Sequence, residues 1–295
     1  MNILVATNLA DMHVLMKHAI AQARANGARI LLAHVIPAAV AEKKTGPTLV
    51  RMTGPGRCAN AKETLEFAAL QLQWQGILCD PFLLTGDPAE QIAALGRRRG
   101  ATRILMGAAR RAGHSMADRL MALVEIPVFV IGPQVTPFPA GDTHAGRILL
   151  PLSLRSRGTA DVRLAARLAR ETGSRVALLH VIDPAGMTET EKQRAQMRAR
   201  MQLAALAATE ESLRSPIEIV VREGNVVRAI VEEARFPDRD CILLGRDSLR
   251  PEDRQGRGIA QQVIERARCP VITAHPDGGG ANPNELFESR TGTFN

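Results

Sequence analysis

The chain has 295 residues, room for two domains of ordinary size, each large enough to bury a core of its own. Hydrophobic residues make up 45% and charged residues 23%, which excludes a disordered polyelectrolyte; with 3% aromatics and no Tyr, the core has to be built from Leu, Ile, Val, Ala and Met. The net charge of +8 invites a nucleic-acid reading, but the arginines are dispersed among acids on helix faces, as in Glu191, Lys192, Arg194, Arg198 and Arg200, with no aromatic side chains between them to stack bases, so a nucleic-acid partner is not expected.

In chain order, Ile3–Thr7 is a short apolar run, the signature of a strand buried on both faces. Leu15, Ala19, Ile20 and Ala23 then recur at helical spacing over Val14–Ala25, and Gly27 stands where a helix ends in a left-handed residue. Arg29–Ile36 reads as the second strand, Asn60–Gln75 as an amphipathic helix and Ile77–Leu84 as the third strand. Pro88–Arg99 has Pro near its start and Gly100 beyond its end, as helices do. Arg103–Met106 is the fourth strand, Ser115–Val124 a helix and Val128–Ile131 the fifth strand. The second half repeats this with strands at Ile148–Leu152, Arg175–Ile182, Ile217–Arg222, Cys241–Leu244 and Val271–Ala274, and a long helix at Glu189–Arg214. Strands alternating with helices imply right-handed crossovers and a parallel sheet covered on both faces.

The repeat period is about 140 residues, so the repeated unit is a whole domain. Ile3–Thr7 answers to Ile148–Leu152, and Gly27 to Ile36 answers to Gly173 to Ile182. Gly86 answers to Gly224, Leu105-Met106-Gly107 to Leu243-Leu244-Gly245, and Ile126–Val130 to Cys269–Thr273. These blocks divide the chain into residues 1–135, a Pro- and Gly-bearing linker over 136–146, a second domain over 147–276, and a Gly-, Pro- and Asn-rich tail over 277–295 expected to be disordered. Cys58, Cys79, Cys241 and Cys269 form no C-x-x-C pair and no metal spacing, so no metal site is expected. The N-terminus lacks a basic signal-peptide head and no run reaches the ~20 apolar residues of a membrane helix. The chain is therefore expected in the cytoplasm.

Taken together, the strand ending in His34-Val35 or His180-Val181, the Gly86-Asp87-Pro88-Ala89-Glu90-Gln91-Ile92 segment, the apolar strand closed by Gly107 or Gly245 and the final Pro-Val strand resemble the universal stress protein family, twice over nearly the whole chain. The segment from Cys241 to Ala274 carries the best match. The resemblance implies two tandem open parallel five-stranded sheets, strand order 3-2-1-4-5, with helices on both faces, in the manner of adenine nucleotide alpha-hydrolases. It also implies that the two domains form within one chain the pseudo-dimer that single-domain members form through their last strands. Fusion raises the partner's effective concentration to roughly millimolar. Further association of two chains and an unidentified protein partner stay open.

Nucleotide-binding members of the family carry a motif after the fourth strand: Gly, two residues, Gly, nine residues, then Gly followed by Ser or Thr. Glycines let the backbone approach phosphates closely, and its N–H groups form a nest for anionic oxygens. The second repeat reads Gly245, Arg246-Asp247, Ser248, nine residues, Gly258-Ile259, so the spacing is kept while the middle Gly and the hydroxyl are replaced. Arg246, Arg254 and Arg257 could add positive charge. The first repeat reads Gly107 to Ser115, with Gly113 before Ser115 and a loop about six residues shorter than the family pattern. Arg110 and Arg111 suit a smaller anion there. Asn8 and Ser153 stand where nucleotide-binding members carry an Asp; Val35 and Val181 where adenine packs; Met106 and Leu244 just before the first motif glycine.

The resemblance thus implies a non-catalytic regulatory protein that binds an adenine nucleotide (ATP, ADP or AMP, with Mg²⁺ only beside a triphosphate) weakly and chiefly in the second domain. Alternatives are a protein-interaction module that binds no nucleotide and, behind it, an ATP-hydrolysing or adenylating enzyme of related fold. That enzyme class needs a Ser-Gly-Gly-x-Asp-Ser type loop after the first strand, which Asn8-Leu9-Ala10-Asp11 and Ser153-Leu154-Arg155-Ser156 do not supply. His34 and His180 have no nucleophile assignable beside them and are expected to be structural.

Overall fold

A computed structural model describes residues 1–37, 55–108, 116–135, 146–154, 158–210, 216–234, 241–245 and 258–274. The first repeat runs β1 (Asn2–Ala6), α1 (Met12–Asn26), β2 (Arg29–Ile36), α2 (Pro55–Trp74), β3 (Cys79–Thr85), α3 (Pro88–Arg98), β4 (Ala101–Gly107), α4 (Met116–Met121) and β5 (Val128–Ile131). The second runs β6 (Arg147–Pro151), α5 (Thr159–Thr172), β7 (Arg175–Ile182), α6 (Glu189–Ala207), β8 (Glu218–Glu223), α7 (Val226–Glu233), β9 (Cys241–Leu244), α8 (Ile259–Arg266) and β10 (Val271–Thr273). Most of the linker and all of the tail read from the sequence lie outside the described residues.

Local chemistry sets these boundaries. Gly27 (φ 58°) and Gly173 (φ 68°) close α1 and α5 in the left-handed region, their N–H groups bonding Ala23 O and Ala169 O. Asp87 caps α3 by accepting from the N–H groups of Ala89 and Glu90, and Asn225 caps α7 by accepting from Arg228 N. Thr188 and Glu191 form a capping box at the start of α6. The third strand begins at Cys79 rather than Ile77, because Ile77 N donates to Leu72 O and finishes the end of α2. The long helix ends at Ala207, earlier than its composition suggests: Thr209 N and Glu210 N bond Leu206 O and Ala207 O in a tightened last turn.

The sheet order is β3-β2-β1-β4-β5-β10-β9-β6-β7-β8. Each half keeps the expected order 3-2-1-4-5, and the two halves are continuous through one antiparallel pair, Val271 opposite Val130, Ile272 opposite Phe129 and Thr273 opposite Val128. All other neighbours are parallel. Two apolar layers, one on each face, both draw side chains from both repeats: Leu4, Ile104, Leu149 and Ile242 on one face, Ile3, Leu105, Leu150 and Leu243 on the other.

Two buried polar residues break the symmetry of the repeats. Arg103, its side chain 3% exposed, reaches out of the first repeat to Glu171 Oε2 on α5 at 3.2 Å, donates to Gln22 Oε1 at 3.4 Å and lies over the Phe129 ring. Its counterpart is Cys241. Burial lowers the Arg103 pKa and the Glu171 carboxylate opposes that shift. His18 is 1% exposed on α1, nine residues before Gly27; Leu164 holds the same place before Gly173. Burial pushes the His18 pKa down from 6.5 to about 4. A histidine that is harder to protonate folded than unfolded leaves the unfolded state holding the extra proton. Stability from this residue is complete above about pH 6.5 and falls as the pH drops towards 4, by about 3 kcal/mol in all. His18→Leu, which copies the second repeat, is expected to flatten that acid limb; denaturant unfolding at pH 7, 5.5 and 4.5 checks it, and an unchanged slope removes His18 as its cause.

Candidate functional site

Strand order reverses beside β1 and β6, where the next strands in space are β4 and β9; in open α/β sheets the crevice beyond the carboxyl ends of such strands is where ligands bind. In the first repeat Thr7, Asn8, Asp11 and Gly107 meet there. Thr7 Oγ1 donates to Asp11 Oδ1 at 2.7 Å and accepts from Leu9 N at 2.9 Å. Asn8 N donates to Asp11 Oδ1 at 3.2 Å, and Asp11 N donates back to Asn8 Oδ1 at 3.0 Å. This closed circuit holds Leu9 at φ 72°, left-handed for a non-glycine, at a cost of roughly 1–2 kcal/mol. Asp11 stands at the N-cap of α1 but makes no side-chain bond to the helix. Its other oxygen lies over Gly107, where any Cβ would collide with it.

The second repeat reaches the same arrangement from a different position. Asp161, in the first turn of α5, sets both carboxylate oxygens against Gly245, Oδ1 2.5 Å and Oδ2 2.7 Å from where a Cβ would stand. Counted back from the closing glycines, Asp161 matches Leu15 and not Asp11. Both repeats therefore place a carboxylate over the glycine that ends the fourth strand, from non-equivalent sites. Sequence reading had no role for either Asp. The available signal was an acidic residue at the start of the helix after the first strand in each half, a pattern read by default as a partner for the helix dipole.

The structure distributes the residues singled out by sequence as follows. Gly107 ends β4 and Gly245 follows β9 at the crevice; Gly258 precedes α8 as its N-cap with φ −66° and ψ 157°, and Ile259 opens the helix. Asn8 and Ser153 are exposed at the ends of β1 and β6. Asn8 Oδ1 accepts from Asp11 N at 3.0 Å. Val35, Met106 and Leu244 are buried in the apolar layer and Val181 is half-buried against it. Gly113, Ser115, Ser248 and the arginines of both loops lie outside the described residues. His34 and His180 are structural: each Nδ1 lies 2.9 Å from a backbone oxygen, Thr7 O and Leu152 O. A carbonyl only accepts, so Nδ1 carries the proton and each ring ties the second strand of its half to the end of the first.

Among the described residues no group of three or more His, Cys, Asp and Glu could hold a metal ion, and no helix is long and apolar enough to cross a membrane. A cleft of about 660 Å³ opens at the carboxyl end of β8, away from the strand-order reversal; the ion pairs Arg222–Glu233 (2.7 Å) and Arg228–Glu232 (2.8 Å) line it.

With the fold and crevice placed, comparison with known proteins defines the class. The model of the Universal stress protein family matches residues 1–132 and again 145–275. The chain belongs to that family, as a tandem two-domain member. A universal stress protein from Archaeoglobus fulgidus DSM 4304 superposes with a TM-score of 0.63 at 17% identity, over 93% of this chain and 96% of its own. A functionally unknown protein from Pseudomonas aeruginosa PAO1 gives 0.58 at 16%, over 98% and 97%. A putative universal stress protein from Pseudomonas aeruginosa UCBPP-PA14 gives 0.57 at 16%, over 97% of both chains. At these identities the likeness is one of fold. No curated protein matches the chain.

The contact between Asp11 and Gly107 has a direct test. Gly107→Ala is expected to displace the carboxylate from Thr7 and Asn8 and cost about 1–3 kcal/mol. Asp11→Ala removes the collision, so the double variant is expected to cost clearly less than the sum of the two singles. Denaturant unfolding of all four proteins measures the coupling, and strict additivity refutes it.

Proposed function

We propose that the chain is a non-catalytic regulatory protein that takes an adenine nucleotide weakly, in its second repeat. The observation that supports this reading is that Gly245 follows β9 beside the strand-order reversal and Gly258 starts the next helix. Gly245 follows β9 beside β6, and Gly258, as the N-cap of α8, brings no side chain to cap its first N–H groups. Uncapped N–H groups at a helix start suit phosphate oxygens. The first repeat offers less: α4 spans only Met116–Met121, and its loop is the shorter one.

Binding is weak because the site already holds a negative charge. A phosphate drawn down onto Gly245 meets the Asp161 carboxylate, and two anions at such range repel by an amount on the order of 1–3 kcal/mol at an effective dielectric constant near 20 with screening. A nucleoside monophosphate or diphosphate suffers less than a triphosphate, unless Mg²⁺ accompanies the latter.

Calorimetric titration of ATP, ADP and AMP into the wild type, Gly258→Val, Gly107→Val and Asp161→Asn tests this. Weak binding is expected in the wild type, lost in Gly258→Val and kept in Gly107→Val. Asp161→Asn is expected to tighten it roughly tenfold, which corresponds to about 1.4 kcal/mol. No heat from any variant at millimolar nucleotide replaces this reading with that of a protein-interaction module. Multiple turnover of ATP refutes the non-catalytic assignment.

A further inference from the structure

The second helix of each repeat bears an apolar stripe on its solvent side. On α2, Phe67, Leu70 and Trp74 are exposed at helical spacing, with Leu78 just beyond the helix end; Trp74 is 81% exposed. On α6 the stripe is Met197 and Met201, one turn apart. Scattered exposed hydrophobic residues need no explanation, but a row of them on one helix face marks an interaction surface. Both helices lie on the same face of the sheet, since Leu65, Ala69 and Leu72 of α2 and Leu203 of α6 bury into one apolar layer. Helix α2 packs beside β3 and β2, and α6 beside β8 and β7, so they sit at the two ends of the ten-stranded sheet. Nine inter-strand spacings of ~4.8 Å put those ends about 43 Å apart. Within one chain the stripes cannot meet.

Their charges are opposite. The α2 stripe starts at Glu63, one turn before Phe67, and is bordered by Glu66, which pairs with Lys62 at 3.7 Å; all three are exposed and together carry one net negative charge. The α6 stripe is bordered by Arg194 and Arg198 on one side and Arg200 on the other, all exposed. Two copies of α2 face to face would set acid against acid, and two copies of α6 arginine against arginine. Only α2 against α6 joins apolar to apolar and acid to base. The soft, unbranched methionines fit round a planar indole and a phenyl ring, and sulfur against aromatic carbon is itself favourable.

We propose that α2 of one chain docks on α6 of a second copy. Both stripes lie on one face of the sheet, so a single such contact leaves one α2 and one α6 for further chains, whereas the reciprocal pair of contacts closes two copies face to face. The stripes are short, so the contact is weak and concentration-dependent.

Trp74 is the chain's sole Trp and there is no Tyr, so its fluorescence reports this surface without interference. Sedimentation velocity and Trp emission are measured on the full-length protein over the same concentration series. The sedimentation coefficient is expected to rise with concentration, with Trp74 emission shifting to the blue in parallel, and both changes are expected to weaken as salt is raised from about 50 to about 500 mM. Phe67→Glu and Met201→Glu change exposed side chains, and each alone is expected to weaken association at least tenfold. Mixed together they are expected to form a dimer and nothing larger, because each supplies the surface that the other has lost. A protein that stays monomeric throughout overturns the proposal, whatever partner the stripes then serve. So does association that survives both substitutions, or that Phe67→Glu abolishes and Met201→Glu leaves intact, which would mean α2 pairing with α2.

Discussion

Everything distinctive about this molecule rests on three residue pairs at the centre of its sheet. Val128, Phe129 and Val130 run antiparallel to Thr273, Ile272 and Val271, and among the described residues no other neighbouring strands run that way. An open parallel sheet ends in strands whose backbone groups face outward unpaired, a hazard proteins must manage. Here each half covers its own last strand with the other's. The side chains follow: Ile264 of α8 comes so close to Gly132, just after β5, that its carbonyl would collide with any Cβ there. Arg103 crosses the seam to Glu171, and Thr273 Oγ1 donates to Val128 O at 3.3 Å. Both apolar layers pass through the joint without a gap in composition, so folding one half exposes surface that only the other half covers.

The fold is largely legible in the sequence. Apolar runs such as Ile3–Thr7 and Cys241–Leu244 fit strands buried on both faces, and glycines such as Gly27 and Gly173 end helices for a reason the sequence displays. The errors were local and have local causes: Ile77 was absorbed by the end of α2, and the last turn before Thr209 tightened. The candidate site was legible only in part. Gly107 and Gly245 announced themselves through spacing, since close approach demands the same residue type in both halves. Asp11 and Asp161 did not, because no spacing rule links them. They converge on one place from positions four residues apart in the aligned repeats, and only the path of each helix start reveals it. The amide of Asn8, read from the sequence as a partner for a ligand hydroxyl, also bonds the backbone of Asp11, which no sequence pattern signals.

A duplicated chain offers an internal control that a single domain lacks. Features shared by both halves serve the fold: the His34 and His180 rings tied to neighbouring backbone, the left-handed glycines after α1 and α5, the strand order itself. Features held by one half alone mark where the halves have different work. Arg103 against Cys241 and His18 against Leu164 lie on the face that carries α1 and α5, the first beside the seam. There the two repeats must fit each other and need not be alike.

The carboxylate over the fourth-strand glycine belongs to neither group, and that is its interest. Identical ancestry would place it at matching positions, and indifference would place it in one repeat only. Instead two unrelated positions deliver the same charge to the same spot. A neutral side chain of similar size would fill the space over glycine equally well, so packing alone does not account for a carboxylate twice. A fixed negative charge, by contrast, sets how strongly the crevice draws an anion, and it does so without altering the backbone that gives the crevice its shape. An anion approaching the crevice would therefore be resisted by electrostatics rather than shut out by steric closure.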